Sequence, residues 1–86
     1  MKPITRKKIR IHFESQGGLI YVPEKDETYE LNEVAMKILT LCDGKHTVSQ
    51  ITDVILKEYS CDNKAEVKKD VKNFINELKS RKIIKL

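Results

Sequence analysis

The sequence predicts an α+β fold in which a three-stranded antiparallel sheet is followed by three helices. Two observations carry this. Apolar residues alternate with polar ones as far as Leu31 and from Asn32 onward recur at the 3.6-residue period of an amphipathic helix. The helical half is then divided by capping residues at Asn32, Thr47 and Asn63.

The first strand spans residues 8–14, KIRIHFE. Ile9, Ile11 and Phe13 lie on one side and Lys8, Arg10, His12 and Glu14 on the other, the pattern of a half-buried strand. Ser15-Gln16-Gly17-Gly18 supplies positive-φ residues for a hairpin, and LIYV at 19–22 is a second β-rich run closed by Pro23. After a polar turn at Lys25-Asp26, residues 27–31 alternate again, with Tyr29 and Leu31 on one face and Thr28 and Glu30 on the other.

Asn32 is a good N-cap, and Leu31 can pack on Met36 as a hydrophobic staple. The first helix presents Val34, Ala35, Ile38, Leu39, Leu41 and Cys42 on its apolar face and stops at Gly44, which takes a left-handed conformation at little cost. Thr47-Val48-Ser49-Gln50 is a capping box that starts the second helix, which runs to about Tyr59 with Val48, Ile51, Val54, Ile55 and Tyr59 inward. Asn63-Lys64-Ala65-Glu66 is another such box, and the third helix buries Val67, Val71, Phe74, Ile75 and Leu78. The apolar tail from Ile83 to Leu86 either returns to the sheet or covers the core.

Eighty-six residues fit one domain, 1–86. A domain this small buries only about 60–65% of its unfolded surface, which disfavours a deep enzyme cleft. No apolar run is long enough for a membrane span and the basic N-terminus has no secretory h-region, so the expected location is cytoplasmic. The net charge of +4 is unevenly spread: residues 1–12 carry +5, residues 13–61 hold nine acids against four bases, and residues 62–86 carry +4. Basic ends attract an acidic partner.

The stretch LCDGKHT at 41–47 gathers a cysteine, an aspartate and a histidine. Zinc would need His12, Cys42, His46 and Cys61, which offer no CxxC or HxxxH spacing, and a cysteine on an apolar helical face is a poor nucleophile. The corner reading is better: Asp43-Gly44 stops one helix and Thr47 caps the next. Phosphate-loop, dinucleotide, HExxH and GxSxG motifs are all missing. No catalytic residue, metal or cofactor is expected, and the chain does not read as an enzyme.

At 100° per residue the third helix has two charged shoulders. Lys64, Lys68, Lys72 and Lys79 lie on one edge of the apolar stripe, and Glu66, Asp70 and Glu77 lie on the other. A core helix with solvated lysines accounts for this pattern. Two functional readings stand beside it. One is a winged-helix nucleic-acid-binding protein, disfavoured because the helix has no arginine, the commonest reader of guanine edges. In the other, an extended peptide adds as a strand to an open sheet edge, its side chains resting on the third helix. An open edge also leaves pairing with a second copy, a homodimer, available.

The run YELNEVAMKILTLCDGKHTVSQI, followed by Asp70-Val71-x-x-Phe74-Ile75-x-x-Leu78, resembles the pyrroloquinoline-quinone biosynthesis protein D (PqqD) family. Leu31, Asn32, Ala35, Ile38, Leu39, Asp43, Gly44, Thr47, Ile51, Asp70, Val71, Phe74 and Leu78 match its pattern. The resemblance implies a winged-helix-like, non-catalytic domain. Such domains bind the leader segment of a ribosomally synthesised precursor peptide and present it to a modifying enzyme, often a radical S-adenosylmethionine (SAM) enzyme, in natural product biosynthesis. The leader would lie against Glu27, Thr28, Tyr29, Glu30 and Leu31, facing Val67, Lys68, Val71, Lys72, Phe74, Ile75 and Leu78 on the helix. From the lysine shoulder follows a further expectation, that acidic leader residues meet Lys68, Lys72 and Lys79. The chain departs from the family pattern at Arg81-Lys82, where relatives often place a glycine. Its third helix is therefore expected to run longer or to end without a left-handed residue.

Overall fold

The computed structural model describes residues 1–59 and 63–86. A short strand missed by the sequence reading, β1 (Ile4–Thr5), comes first. The three expected strands follow as β2 (Arg10–Glu14), β3 (Gly17–Val22) and β4 (Glu27–Asn32), and then α1 (Glu33–Leu41), α2 (Val48–Glu58), α3 (Lys64–Ser80) and β5 (Ile84–Lys85). The main sheet is antiparallel in the order β2-β3-β4, as the winged-helix-like prediction requires.

Register decides which side chains face the helices. Ile11 pairs with Ile20 and Ile20 with Tyr29; Phe13 pairs with Gly18 and Gly18 with Leu31. Directly opposed residues share a face, so these rows form the inner side of the sheet. Ile20 and Val22 are fully buried there. On β2 the expectation of a half-buried strand fails, since every residue from Arg10 to Glu14 is exposed, Ile11 by 38% and Phe13 by 62%. The reason is tertiary: α1 packs on β3 and β4, so the helical layer leaves β2 overhanging.

The hairpin also differs from expectation. Its turn is Ser15-Gln16, while Gly17 and Gly18 lie inside β3, opposite Asn32 and Leu31. Gly17 has φ +140°. Gly18 is needed for space instead, because a Cβ there would stand 2.5 Å from Met36 Cε and from the His12 carbonyl oxygen.

The helix starts form largely as read. Asn32 Oδ1 accepts from the Ala35 N–H at 2.8 Å, and Thr47 and Gln50 make both arms of their capping box. At α3, Asn63 Oδ1 accepts from Glu66 N–H at 3.1 Å. The helix ends need correction. Cys42 is the C-cap of α1, its side chain buried with Ile38 and Leu39 as the stripe predicts, and the left-handed Gly44 (φ +79°) lies two residues further on, donating its N–H to the Pro3 carbonyl. On α2 the inward face includes Thr52, buried with its hydroxyl donating to the Val48 carbonyl at 2.9 Å.

α3 does end at a left-handed residue, although no glycine is there. Arg81 is the C-cap and Lys82 has φ +61°. The Lys82 N–H bonds the Lys79 carbonyl and the Ile83 N–H bonds the Leu78 carbonyl at 2.9 Å, the paired bonds of a Schellman motif. This turn aims Ile83 and Ile84 into the core, where both are buried. The tail then pairs as β5 with β1, in a second sheet separate from β2-β3-β4. β1 also donates at the α1–α2 corner, with Thr5 N–H bonding the Cys42 carbonyl at 2.9 Å.

That corner is structural throughout. Asp43 Oδ1 accepts from Lys45 N–H at 2.8 Å and stands 3.0 Å from His46 Nδ1. The His46 hydrogen bond, then the Lys45 amide, hold the Asp43 carboxyl below its ordinary range. Burial, then the Asp43 charge, push the Cys42 thiol up to about 12, so it is neutral at pH 7. Among the described residues no group of three His, Cys, Asp or Glu side chains could hold a metal ion. Cys61 lies outside the described residues.

Candidate functional site

β4 is an edge strand, with β3 on one side and no strand on the other among the described residues. Its alternate main-chain N–H and C=O groups are therefore free to pair with an added chain. α3 packs chiefly against α2 and β5, which leaves a cleft between itself and β4. The cleft encloses about 280 Å³. Thr28, Tyr29, Glu30 and Leu31 form its strand wall, Phe74, Glu77, Leu78 and Arg81 its helix wall, and Ile20 and Ile83 complete the lining.

The apolar part is built from residues that the core only half uses. Tyr29, Leu31 and Phe74 are half-buried and rest on fully buried neighbours. An occupant that covered them would gain about 25 cal/mol for each Å² of apolar surface removed from water. At one end the Arg81 guanidinium crosses the cleft: it donates to Glu77 Oε1 at 2.9 Å and stacks over the Tyr29 ring, 4.8 Å from its centroid. The Tyr29 hydroxyl donates in turn to Glu27 Oε1 at 2.8 Å.

Of the residues expected at the site, Thr28, Tyr29, Glu30, Leu31, Phe74 and Leu78 come together here. Glu27 joins through Tyr29. Val71 and Ile75 are 3% and 2% exposed, so they support the helix from within the core, with half-buried Val67 beside them. Lys68 and Lys72 are not at this cleft. With Ile75 they line a separate cavity of about 340 Å³ beside Val48, Ser49 and Leu86. The reason is angular. Val71, Ile75 and Leu78 turn into the core, which puts the lysine shoulder beside α2 and turns the other shoulder, where Glu77 lies, toward β4.

Glu77 and Arg81 were missed as site residues. Glu77 sits only 60° around the helix from Phe74, a signal the sequence did contain. Arg81 carried the same kind of signal, four residues after Glu77 and about 20° around from Phe74, because the helical hydrogen bonding continues to it as the C-cap.

A three-stranded sheet whose β4 edge lies open beside α3 defines a class of small winged-helix-like domains, and solved structures share this architecture. TbiB1 in complex with the TbiA(beta) leader peptide superposes with a TM-score of 0.84, at 18% identity, over 95% of this chain and 94% of that one. The solution structure of the PqqD truncation of Methylobacterium extorquens PqqCD, a stand-alone recognition element for ribosomally synthesised and post-translationally modified peptides, matches with a TM-score of 0.77. It is 26% identical and covers 98% of this chain and 88% of that one.

Sequence relationships narrow the class. The family described as coenzyme PQQ synthesis protein D (PqqD) matches residues 17–84. The PqqA binding protein of Rhodopseudomonas palustris strain TIE-1 is 32% identical over 79 residues, spanning 90% of this chain and 74% of the relative. That of strain BisB5 is 34% identical over 71 residues, 83% of this chain and 67% of the relative. The chain belongs to the PqqD family.

Proposed function

We propose that this chain binds the leader segment of a ribosomally made precursor peptide as a strand added to β4, and presents it to a modifying enzyme of the radical SAM class without catalysing a reaction itself. The observation that carries this reading is the open β4 edge beside a cleft lined by Tyr29, Leu31, Phe74 and Leu78. Main-chain hydrogen bonds supply affinity, and alternate side chains entering the cleft supply selectivity. The PqqA binding proteins among its relatives support the reading. No helix among the described residues is long and apolar enough to cross a membrane.

The charge around the cleft sets the leader's chemistry. Glu30 and Glu77 line it and Glu27 adjoins it through Tyr29, and among the described residues Arg81, held by Glu77, is the one cation in its wall. An acidic leader meeting Lys68 and Lys72 is therefore withdrawn. The fitting occupant has one or two apolar anchors flanked by lysine or arginine. A Kd of about 1 μM, near −8 kcal/mol, suits a carrier that must also release its cargo.

The test is a titration of isotopically labelled protein with the precursor leader encoded beside its gene, followed by backbone amide shifts, with duplex DNA as control. The expected shifts fall in residues 27–31 and 74–81. A silent peptide, with DNA shifting α3 and the N-terminal segment, would overturn the proposal in favour of a nucleic-acid-binding winged helix.

A further inference from the structure

The sheet has a second open edge, and its chemistry is the opposite of the first. Lys7 and Lys8 lead into β2 and Arg10 opens it, and two contiguous cavities of about 290 and 600 Å³ share Lys7, Lys8, Ile9 and Pro23 in their walls. Lys82 and Lys85 border the first of them from the C-terminal end. Arg6 is neutralised by Glu24 at 3.2 Å, whereas Lys7, Lys8, Arg10, Lys82 and Lys85 have no ion pair among the described residues. Beside these cations Ile9 is partly buried against the core, Ile11 is 38% exposed, and further along the same face of β2 Phe13 is 62% exposed at the mouth of a cavity it shares with Met36, Lys37 and Tyr59.

We propose that this β2 edge is a docking surface for an acidic protein surface with an apolar centre, carried by the modifying enzyme. The proposal rests on the leader-carrier reading for the identity of that enzyme. Three properties select this occupant. The free main-chain edge of β2 can pair with a strand, which a nucleic acid cannot offer. The exposed Ile11 and Phe13 give nothing to a phosphate backbone but gain from burial against apolar side chains. A second copy of the chain would bring the same unpaired cations against themselves. The basic leader inferred for β4 is repelled here for the same reason, so the two edges sort two partners by charge. Because β2 and β4 are separated by β3, cargo and enzyme can be held at once.

The test uses the full chain and the purified modifying enzyme encoded beside its gene, with binding read by isothermal titration. Three chains are compared: the unaltered protein, a Lys7→Glu/Lys8→Glu/Arg10→Glu triple variant and a Phe13→Ser variant, each checked for native helicity. The expected result is that the triple change weakens enzyme binding at least tenfold, that Phe13→Ser weakens it several-fold, and that leader affinity stays within twofold. Enzyme binding left unchanged by both variants would overturn the proposal, as would an unaltered protein that does not bind the enzyme. Micromolar binding of duplex DNA abolished by the triple change, or a dimer in sedimentation that Phe13→Ser dissolves, would reassign the surface. Loss of leader binding with enzyme docking intact would count against the β4 site alone.

Discussion

Reversing charge at the β4–α3 cleft separates the site seen in three dimensions from the one read off the helix. The perturbation is Glu30→Lys/Glu77→Lys, compared with Lys68→Glu/Lys72→Glu on the opposite shoulder of α3. The Glu77 side chain is 55% exposed, so its pairing with a leader cation lies in the weak range of surface ion pairs, about 0.2–1 kcal/mol. Reversal turns that attraction into a repulsion of similar size, a swing of about 0.4–2 kcal/mol per position, so two positions together change binding by about 1–4 kcal/mol, or roughly 5- to 900-fold in Kd. Arg81, which loses its Glu77 acceptor, remains a cation and adds to the repulsion of a basic leader, while the exposure of Glu30 and Glu77 keeps the change in the lower half of this range. Isothermal titration of the leader at low and at moderate salt measures it, and the difference between variants should shrink as salt rises. The lysine reversal should leave affinity within twofold. If instead it weakened binding more than the glutamate reversal does, the leader would contact the far shoulder and the cleft described here would be the wrong site.

Two further outcomes concern the scaffold. Lys82→Gly removes a left-handed non-glycine residue while keeping the Schellman bonds, and chemical denaturation should show a stability gain of about 0.5–1 kcal/mol. In a Cys61→Ser background the Cys42 thiol, raised to about 12 by burial, should resist thiol reagents at pH 8 until the protein is denatured. Its pKa is higher folded than unfolded, so the native state holds a proton that the unfolded chain releases. Stability should therefore fall above about pH 9, by up to about 1.4 kcal/mol per pH unit from this group, and a Cys42→Ala variant should lose that slope.

Much of this was legible because it is local. Strand alternation, the Asn32 and Thr47 caps and the Gly44 corner depend on residues within one turn of each other, and the first helix starts where Asn32 says it does. The strand wall of the cleft was legible too, since Thr28 to Leu31 alternate whatever packs beside them. The helix wall was only half legible. Phe74 and Leu78 belong to the stripe, but which charged shoulder faces β4 depends on how α3 is rolled against α2 and β5. Residue spacing fixes angles within a helix and says nothing of its roll against a partner.

By itself, the sequence determined the order of the three main strands and three helices, the period of each half, the start of each helix and the resemblance to the PqqD family. Tertiary structure alone decided that Ile11 and Phe13 stay exposed, that Gly18 yields space to Met36, that the tail pairs with β1 and that the cleft is acidic. The physical reason is the same in each case. Capping and amphipathic patterning are settled by neighbours along the chain, whereas the coverage of a face and the roll of a helix are settled by which buried surfaces interlock at closest packing.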